Sequence, residues 1–508
     1  MRRRVSVKKI LKFAAVFALV AFVSSQAFAK KAKGSAEAGN TEAAAGGETS
    51  ANSKAKKSKE KKEKVKKPKK IPFNEEQFNS SFYAGDYATC LSMMLSKEDR
   101  KKDVILNSID TNMLMHLNGD YLGSGKAFLE TQRLMQQSKK DTAGGKKAGA
   151  AMSNETATKY TGNMYERILM YTMRAVNALS MGDIGNAKGV MDTYAGDYKD
   201  IIAPLIAEQK ALAEEDDDTE DADADGSLKN AGLTIDSAAM NSRKPPKSTK
   251  VYENSPLLQY LSAIIYSAHA AAEGQGIEHA EKAASELKTL NPNVSVAEDV
   301  AIPSGKGRIN VLALSGTIGK RTEKTNEFDA GILSGVPIKF KIAYPVFEPQ
   351  THAITAVRVT LNDGTSKTAT LVEDFDEAVR LDVALKARGA YGRSVFRNVM
   401  RVVTAFATLE SARIADQVNS NLITQIALAT AKIAFPAAVA ANKSERADLR
   451  QGAYFPHKAS AAGFTVAPGT YSAKVEYLSG NSVLETKNLE NIVVKTGKPT
   501  IVISSCAK

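Results

Sequence analysis

The residue types that most often carry out chemistry are sparse in this sequence and are not spaced for it. None of the five histidines pairs with another at the spacing of zinc ligands, and no His-Glu-x-x-His motif occurs. A Gly-x-Ser-x-Gly motif is absent, and neither cysteine lies in a reactive signature. The sequence therefore predicts a protein without catalysis, cofactor or metal. The histidines are His116, His269, His279, His352 and His457.

One acidic run has the outline of a calcium loop. Asp221, Asp223 and Asp225 alternate before Gly226, as carboxylates do in such a loop ahead of its sharp turn. The twelfth place of a calcium loop carries a bidentate acid, whereas this chain has Gly232 there. We therefore expect an acidic low-complexity loop, with calcium binding as the weaker alternative.

Three arginines recur at every fourth residue in the stretch RSVFRNVMR. On a helix, Arg393, Arg397 and Arg401 would share one face, which could hold an anionic ligand or partner. The alternative is a solvated or salt-bridged face. The acids that would form those salt bridges are Glu373, Asp374 and Asp376.

The two cysteines, Cys90 and Cys506, lie far apart in the chain. An exported protein can form disulfides, so a bridge between them is one alternative. The position of Cys90 fits a crossing of two helices, and Cys506 lies close to the end of the chain. We therefore expect one buried thiol and one loose thiol in the tail.

The elements that would position these residues begin only after a long N-terminal region. Residues 1–29 contain six cationic residues and an apolar run, and they end in Ala27-Phe28-Ala29, the pattern of a cleaved secretory signal. Residues 30–70 hold 14 Lys and 5 Glu without hydrophobic periodicity, which predicts a disordered arm. Its segment Lys54–Lys70 could bind anionic wall polymer or lipid headgroups, or act as a solvated spacer.

Beyond the signal and the arm, residues 71–508 carry a net charge of only −2. A nucleic-acid-binding fold would need basic surface on its folded part, so we expect no nucleic-acid partner. No cysteine lies at the cleavage site. The sequence therefore predicts an exported protein of the periplasm or cell envelope that is not a lipoprotein.

A short Gly-Asp phrase recurs through the next part of the chain. The copies are Gly85-Asp86, Gly119-Asp120 and Gly182-Asp183. The first two lie 34 residues apart, which is the length of a tetratricopeptide unit. In such a unit the glycine provides the turn and the aspartate caps the second helix. The sequence therefore predicts a tetratricopeptide-like helical domain at 71–293, with polar insertions at 138–158 and 209–250.

After about residue 293 the hydrophobic pattern changes from the period of a helix to that of a strand. Alternating apolar residues predict strands at 308–314, 337–347, 353–364, 470–478 and 499–504. Between them lies a helical stretch, 374–442, whose apolar part at 421–441 contains polar residues and a proline. We expect that part to be a buried or partly buried helix and not a membrane span. The second domain, 297–508, is thus an α+β domain with a mostly antiparallel sheet.

Several of these phrases resemble a little-characterised family of exported bacterial proteins, many of which are lipoproteins. Its members have a tetratricopeptide-like N-terminal half and an α+β C-terminal domain. The resemblance covers about residues 75–480 and implies an envelope location and this two-part layout. It implies no catalytic residues. The matching phrases are HLNGDYLGSGKAFLE, YTGNMYERILMYTMRAVNALSMGD, GKGRINVLALSGTIGKRTEK, RSVFRNVMR, and RADLRQGAYFP with VAPGTY.

A helical repeat array offers an extended surface on which a partner protein can dock. We therefore expect a periplasmic or envelope scaffold that binds an envelope protein through its repeats and catalyses no reaction. The alternative is a cell-wall or membrane-surface tether that acts through the basic arm.

Overall fold

The computed structural model describes residues 72–97, 103–142, 156, 159–214 and 237–508. The first part of this chain is built from helical hairpins whose two helices are joined by two or three residues. They pair α1 (Glu75–Ala84) with α2 (Tyr87–Met94), α3 (Val104–Leu117) with α4 (Tyr121–Thr142), and α5 (Met164–Ser180) with α6 (Ile184–Asp197). A π turn at Tyr198–Ile202 leads into further helices. These are α7 (Ala203–Glu214), α8 (Ser237–Ser242), α9 (Pro256–Glu273), α10 (Ile277–Leu290) and α11 (Ala297–Val300).

The same backbone geometry closes each of the first three hairpins. Gly85, Gly119 and Gly182 have φ angles of 82°, 82° and 71°, a left-handed conformation that strains any residue with a Cβ. The aspartate after each glycine accepts a hydrogen bond from a backbone N–H three residues later, at 3.1, 2.9 and 2.9 Å. The bonds are Thr89 N–H to Asp86, Gly123 N–H to Asp120 and Asn186 N–H to Asp183. Each Gly-Asp pair therefore ends one helix and begins the next.

The two predicted insertions begin inside helices. α4 continues to Thr142 and α7 to Glu214, so the predicted boundaries at 138 and 209 fall within helical segments. A stretch of polar residues can continue a helix as well as form a loop, which is why composition placed the boundaries early. Most of the remainder of both segments lies outside the described residues.

The second half contains ten strands in the part of the chain that the structure describes. One sheet has the order β10-β1-β7-β6, a second has the order β5-β4-β8-β9, and β2 and β3 form a two-stranded ribbon. Only the β1–β10 pairing is parallel among those strand pairs. A helical first part followed by an α+β part with mostly antiparallel sheets is therefore confirmed. The strands are β1 (Gly307–Ser315), β2 (Lys320–Leu333), β3 (Val336–Glu348), β4 (Ala356–Leu361), β5 (Ser366–Thr368), β6 (Thr370–Asp374), β7 (Lys458–Val466), β8 (Gly469–Ser479), β9 (Ser482–Val494) and β10 (Pro499–Cys506).

Strand β1 lies between two hydrophobic cores and is buried along its whole length. Successive side chains of a strand point to opposite faces, so one strand can serve both cores. Ile309 and Val311 pack against the second sheet. Leu312 and Leu314 belong to the core that the helices form. The result is three layers: helices, the β1 sheet and the β4 sheet.

The helical core is shared by both halves of the chain. It contains Ile109 and Leu261 from the helices together with Phe375, Phe455 and Ile501 from the second half. The predicted boundary at 293–297 is therefore a change of secondary structure and not a gap between two separately packed domains.

Two long helices extend the second half into a separate lobe. α12 (Phe375–Val418) has 44 residues, and α13 (Leu422–Ala441) packs along it. From Ala387 onward, α12 packs with α13 and the β2–β3 ribbon around their own core, which includes Phe340 and Phe435. We call β2, β3, α13 and residues 387–418 of α12 the hairpin lobe.

Candidate functional site

The predicted arginine face is largely an internal ion-pair network. The side chain of Arg397 is 1% exposed and pairs with the fully buried carboxylate of Glu445 at 2.5 Å. Arg401 pairs with the other carboxylate oxygen of Glu445 at 2.9 Å, whereas Arg393 is exposed. Arg397 and Arg401 therefore follow the salt-bridged alternative and not the face for an anionic partner, although their acid is Glu445 and not Glu373, Asp374 or Asp376. Their acid lies 44 to 48 residues further along the chain, where no spacing rule pointed to it.

Both thiols are buried, and both cysteines are free. Cys90 has no exposed surface, and burial raises the pKa of its thiol to about 11. Cys506 is the last residue of β10, where it lies opposite Ser315 of β1. The prediction of a loose thiol in the tail is therefore wrong, because pairing with β1 holds the end of the chain in the sheet. Neither environment favours a reactive thiolate.

Other predicted residues fall outside the described chain. The calcium candidates Asp221, Asp223 and Asp225 lie there, as do the signal at 1–29 and the basic arm at 30–70.

The apolar stretch at 421–441 forms α13, which is partly buried, one of the two arrangements that the sequence predicted, and most of its surface is exposed. Leu422–Ser444 is 23 residues long and has a mean hydropathy of 1.6, yet only 17% of its most apolar window is buried. Its inner face, with Ala431, Phe435 and Val439, packs in the lobe. The outer face carries aliphatic side chains and a single charged residue, Lys432. Gln425 and Thr430 are exposed there as well, and a large, mostly apolar surface of this kind marks contact with protein or lipid.

The exposed aliphatic residues concentrate at the turn between α12 and α13. Arg413 of α12 donates a hydrogen bond to the hydroxyl of Ser334 at 3.3 Å, which brings the tip of the β2–β3 ribbon to the same end of the lobe. We call this surface the apolar end. It comprises Ile332, Ile414, Val418, Leu422, Ile423 and Ile426, whose exposed fractions are 72, 50, 80, 72, 79 and 57%.

A groove of about 420 Å³ lies between α6, α9 and α10. Tyr194 and Tyr198 line one side, Tyr266 lies on α9, and α10 contributes Lys282 and Glu286. Two of the tyrosine hydroxyls are held by hydrogen bonds, since Tyr194 donates to Asn254 at 3.1 Å and Tyr266 to Asp192 at 2.9 Å. The lining therefore combines held aromatic rings with acidic and basic groups.

A second cluster, not predicted by the sequence, joins three separate segments of the chain. His352 follows β3, Asp376 lies in the first turn of α12, and His457 precedes β7. One ligand atom from each lies within 4.8 Å of the others. The two imidazole rings stack with centroids 4.0 Å apart, although the residues are 105 positions apart in sequence. We call this group the His–Asp cluster.

Hydrogen bonds hold the segments that carry Asp376 and His457 against each other and against the end of β1. The N–H of His457 donates to the carbonyl of Ser315, and the N–H of Phe375 donates to the carbonyl of His457. Gly319 N–H donates to one carboxylate oxygen of Asp376 at 2.6 Å, and the other oxygen lies 3.5 Å from Nε2 of His457. Burial lowers the pKa of both imidazoles.

The loop after β1 is shaped to admit the two rings. Gly316 has a φ of 66°, and a Cβ there would lie 2.8 Å from Nδ1 of His352 and 3.0 Å from Cβ of His457. Any larger residue at this position would displace one of the rings. The only trace of the cluster in the sequence is therefore Gly316 at the end of a predicted strand. No motif of histidine spacing leads to it.

No family model, curated protein or solved structure matches this chain. The resemblance to exported envelope proteins therefore stays a prediction, and the function is argued from the surfaces described above.

Proposed function

We propose that the protein is an exported scaffold of the periplasm or cell envelope, which binds a segment of a partner protein in the groove between α6, α9 and α10. It performs this role without catalysis. The observation that carries the proposal is the groove lining, in which Tyr194, Tyr198 and Tyr266 stand beside Lys282 and Glu286. Tyrosine is enriched at protein interfaces because it offers a large apolar surface at a low cost in conformational entropy.

The size of the groove limits what can occupy it. A volume of 420 Å³ equals about 5 Å of a helix that is about 10 Å across, which is one helical turn. The occupant is therefore a short segment of a partner chain and not a whole domain. Groups of both signs line the groove, so the segment would carry polar side chains as well as an apolar anchor.

A tetratricopeptide-like array is the finer part of the proposal. In such an array a small residue in the second helix of each unit lets the two helices approach closely. Cys90, Ser124 and Ala187 occupy that position in the three Gly-Asp units, and Ala280 does so in α10. Each of these four side chains is fully buried, which supports close crossing of the helices.

Site-specific photo-crosslinking in envelopes tests the groove. A photoreactive residue would replace Lys282, which lines the groove, and in a matched control Lys288, which is exposed on the same helix but does not line it. We expect one discrete adduct from position 282 and none from position 288. The adduct should weaken when Tyr198→Ala is added, since that change removes one aromatic wall.

The same adduct from both positions would mean that contact is non-specific, and the groove would lose its assigned role. An adduct at position 282 that does not respond to Tyr198→Ala would place the partner near the groove without engaging it. Each variant should first show a thermal unfolding curve like that of the wild type, so that a lost adduct reflects lost binding and not lost folding.

The second candidate function is a tether on a membrane surface, and the exposed α13 helix favours it. The sequence assigned this role to the basic arm at Lys54–Lys70, where each Lys near an anionic membrane contributes about 1 kcal/mol. The apolar end adds an attachment that does not depend on charge. Ile423 and Ile426 would each contribute roughly 1–2 kcal/mol if a bilayer covered them.

Co-sedimentation with lipid vesicles separates the two attachments. Ile423→Asp with Ile426→Asp should abolish binding to neutral vesicles, while Val493→Asp, an equally apolar and exposed site on β9, should leave it unchanged. Binding that needs anionic lipid and disappears in moderate salt would assign attachment to the arm alone. The absence of binding to either kind of vesicle would reject the tether.

A further inference from the structure

The His–Asp cluster provides a ligand set that the histidine spacing in the sequence did not suggest. Two imidazoles and one carboxylate are the donors that divalent transition metals, Zn²⁺ above all, take from proteins. No residue of the cluster lines the groove or belongs to the apolar end, and Asp376 lies at the opposite end of α12 from Ile414 and Val418. A role for it would therefore be additional to the proposed function.

We propose that His352, Asp376 and His457 bind one divalent transition-metal ion of the Zn²⁺ type. Bond lengths of about 2.0–2.1 Å put the donor atoms of a tetrahedral zinc site about 3.3 Å apart. The distance from Asp376 Oδ2 to His457 Nε2 is already 3.5 Å, and all three donors fit within 4.8 Å. The widest donor separation would have to shorten from 4.8 Å or less to about 3.3 Å, and the stacked rings of His352 and His457 would have to turn so that both nitrogens face the ion.

An unpartnered buried atom is a second, independent indication. Nε2 of His352 is buried and has no hydrogen-bond partner in the part of the chain that the structure describes. Buried polar atoms in folded proteins are nearly always paired, so an orphaned one often marks an ion or water site. A metal bound by this ring would supply the missing partner.

The immediate surroundings support a cation on balance. Asp374 lies 3.6 Å from His457 Nε2, so two carboxylates face the imidazoles. Two positive features work against a cation here. The charge of Lys458 acts on Asp376 and His457, and the N-terminal end of α12 carries a partial positive charge. Gly319 N–H fixes the far oxygen of Asp376, which is the kind of support that orients a metal-binding carboxylate.

Such an ion would join the loop after β3, the start of α12 and the start of β7. The donors number three, which leaves a tetrahedral ion one position for a water or for Asp374. The bound ion would therefore act first as a cross-link between these three segments.

The test uses the processed protein, purified without a polyhistidine tag, dialysed against a chelator and then loaded with Zn²⁺. Elemental analysis after removal of excess metal should give one zinc per chain for the wild type. His352→Gln and Asp376→Asn should each reduce this to well under half. Asp376→Asn still offers an oxygen to Gly319, so it tests the charge without removing that hydrogen bond.

His279→Ala is the matched control, because His279 is an exposed histidine far along the chain from the cluster. It should retain one zinc per chain. A second readout is thermal unfolding, in which zinc should raise the melting temperature of the wild type and of the control but of neither cluster variant. Zinc stoichiometry below half in the wild type, or equal stoichiometry in the wild type and both cluster variants, would overturn the proposal.

Discussion

The ion pair between Arg397 and Glu445 gives the sharpest test of whether the arginine face serves stability or the binding of an anion. Glu445→Gln removes the negative charge that faces a guanidinium with 1% exposure, while the amide oxygen can still accept a hydrogen bond. Leaving one partner of a buried pair uncompensated costs about 3–5 kcal/mol. We expect a loss of about 3 kcal/mol for Glu445→Gln, the lower end, because that hydrogen bond is kept. Arg401 adds a second, partly exposed positive charge to the same site.

Urea unfolding measures this loss as a lower midpoint with an unchanged slope. The control is Glu377→Gln on the same helix, where Glu377 and Arg380 form an exposed pair three residues apart. Exposed pairs contribute under about 1 kcal/mol, so the control should lie close to the wild type. Arg397→Met combined with Glu445→Leu should recover much of the loss, because it leaves neither member of the pair behind as an isolated charge.

Two results would refute this reasoning. One is a Glu445→Gln effect no larger than that of Glu377→Gln. The other is stabilisation of the wild type by phosphate that Arg397→Met combined with Glu445→Leu abolishes, because loss with the site distinguishes an anion bound by the arginines from the general stabilising effect of such salts.

Two further predictions concern the helical half. Burial raises the pKa of Asp110 to about 7, well above the value of about 3.9 for a solvated Asp, so the folded state holds an extra proton between these values. The free energy of unfolding should therefore fall as pH rises from about 4 to about 7. Asp110→Asn can still accept a hydrogen bond from Ala453 N–H but cannot titrate, so it should reduce this dependence of stability on pH. Parallel plots of unfolding free energy against pH for the variant and the wild type would contradict the prediction. Asp183→Ala should lower the free energy of unfolding in urea by about 1 kcal/mol, because it removes the side chain that caps α6. Asp183→Ser should be nearly neutral, since serine can also cap a helix. An equal loss of stability in both variants would mean that the aspartate does not act as a cap.

Features that depend on a few neighbouring residues could be predicted from the sequence. The Gly-Asp turns are an example, since a left-handed glycine and a capping aspartate need only the backbone around them. The alternation in 308–314 likewise placed β1, although the strand extends over Gly307–Ser315. A helix turn and its cap are set by neighbouring residues, and the alternation of side chains along a strand is local even though its hydrogen bonds reach β7 and β10.

Features that depend on contacts between distant segments were missed, or were predicted wrongly or only in part. The His–Asp cluster joins residues 105 positions apart, and Glu445 meets Arg397 across 48. A buried or partly buried α13 was predicted from its composition, but composition does not say how much of a helix other chain segments cover. Here the lobe covers only one side of it. The tail cysteine was misjudged for a similar reason, because its burial depends on pairing of β10 with a strand almost 200 residues earlier.

The shared core determines how function can be tested in this protein. Buried carboxylates of the helical half accept hydrogen bonds from backbone N–H groups of the second half. Asp110 accepts from Ala453 and Glu166 accepts from Gly452, both at 2.7 Å. In the other direction, Glu373 accepts from the N–H of Leu257 at 2.9 Å. Deleting the helices at 71–293 would remove these partners and expose the apolar face of the β1 sheet, so the remainder would lose its fold along with any partner. A lost interaction in such a deletion could not be assigned to the groove, and single substitutions on exposed faces are the changes that can separate binding from folding.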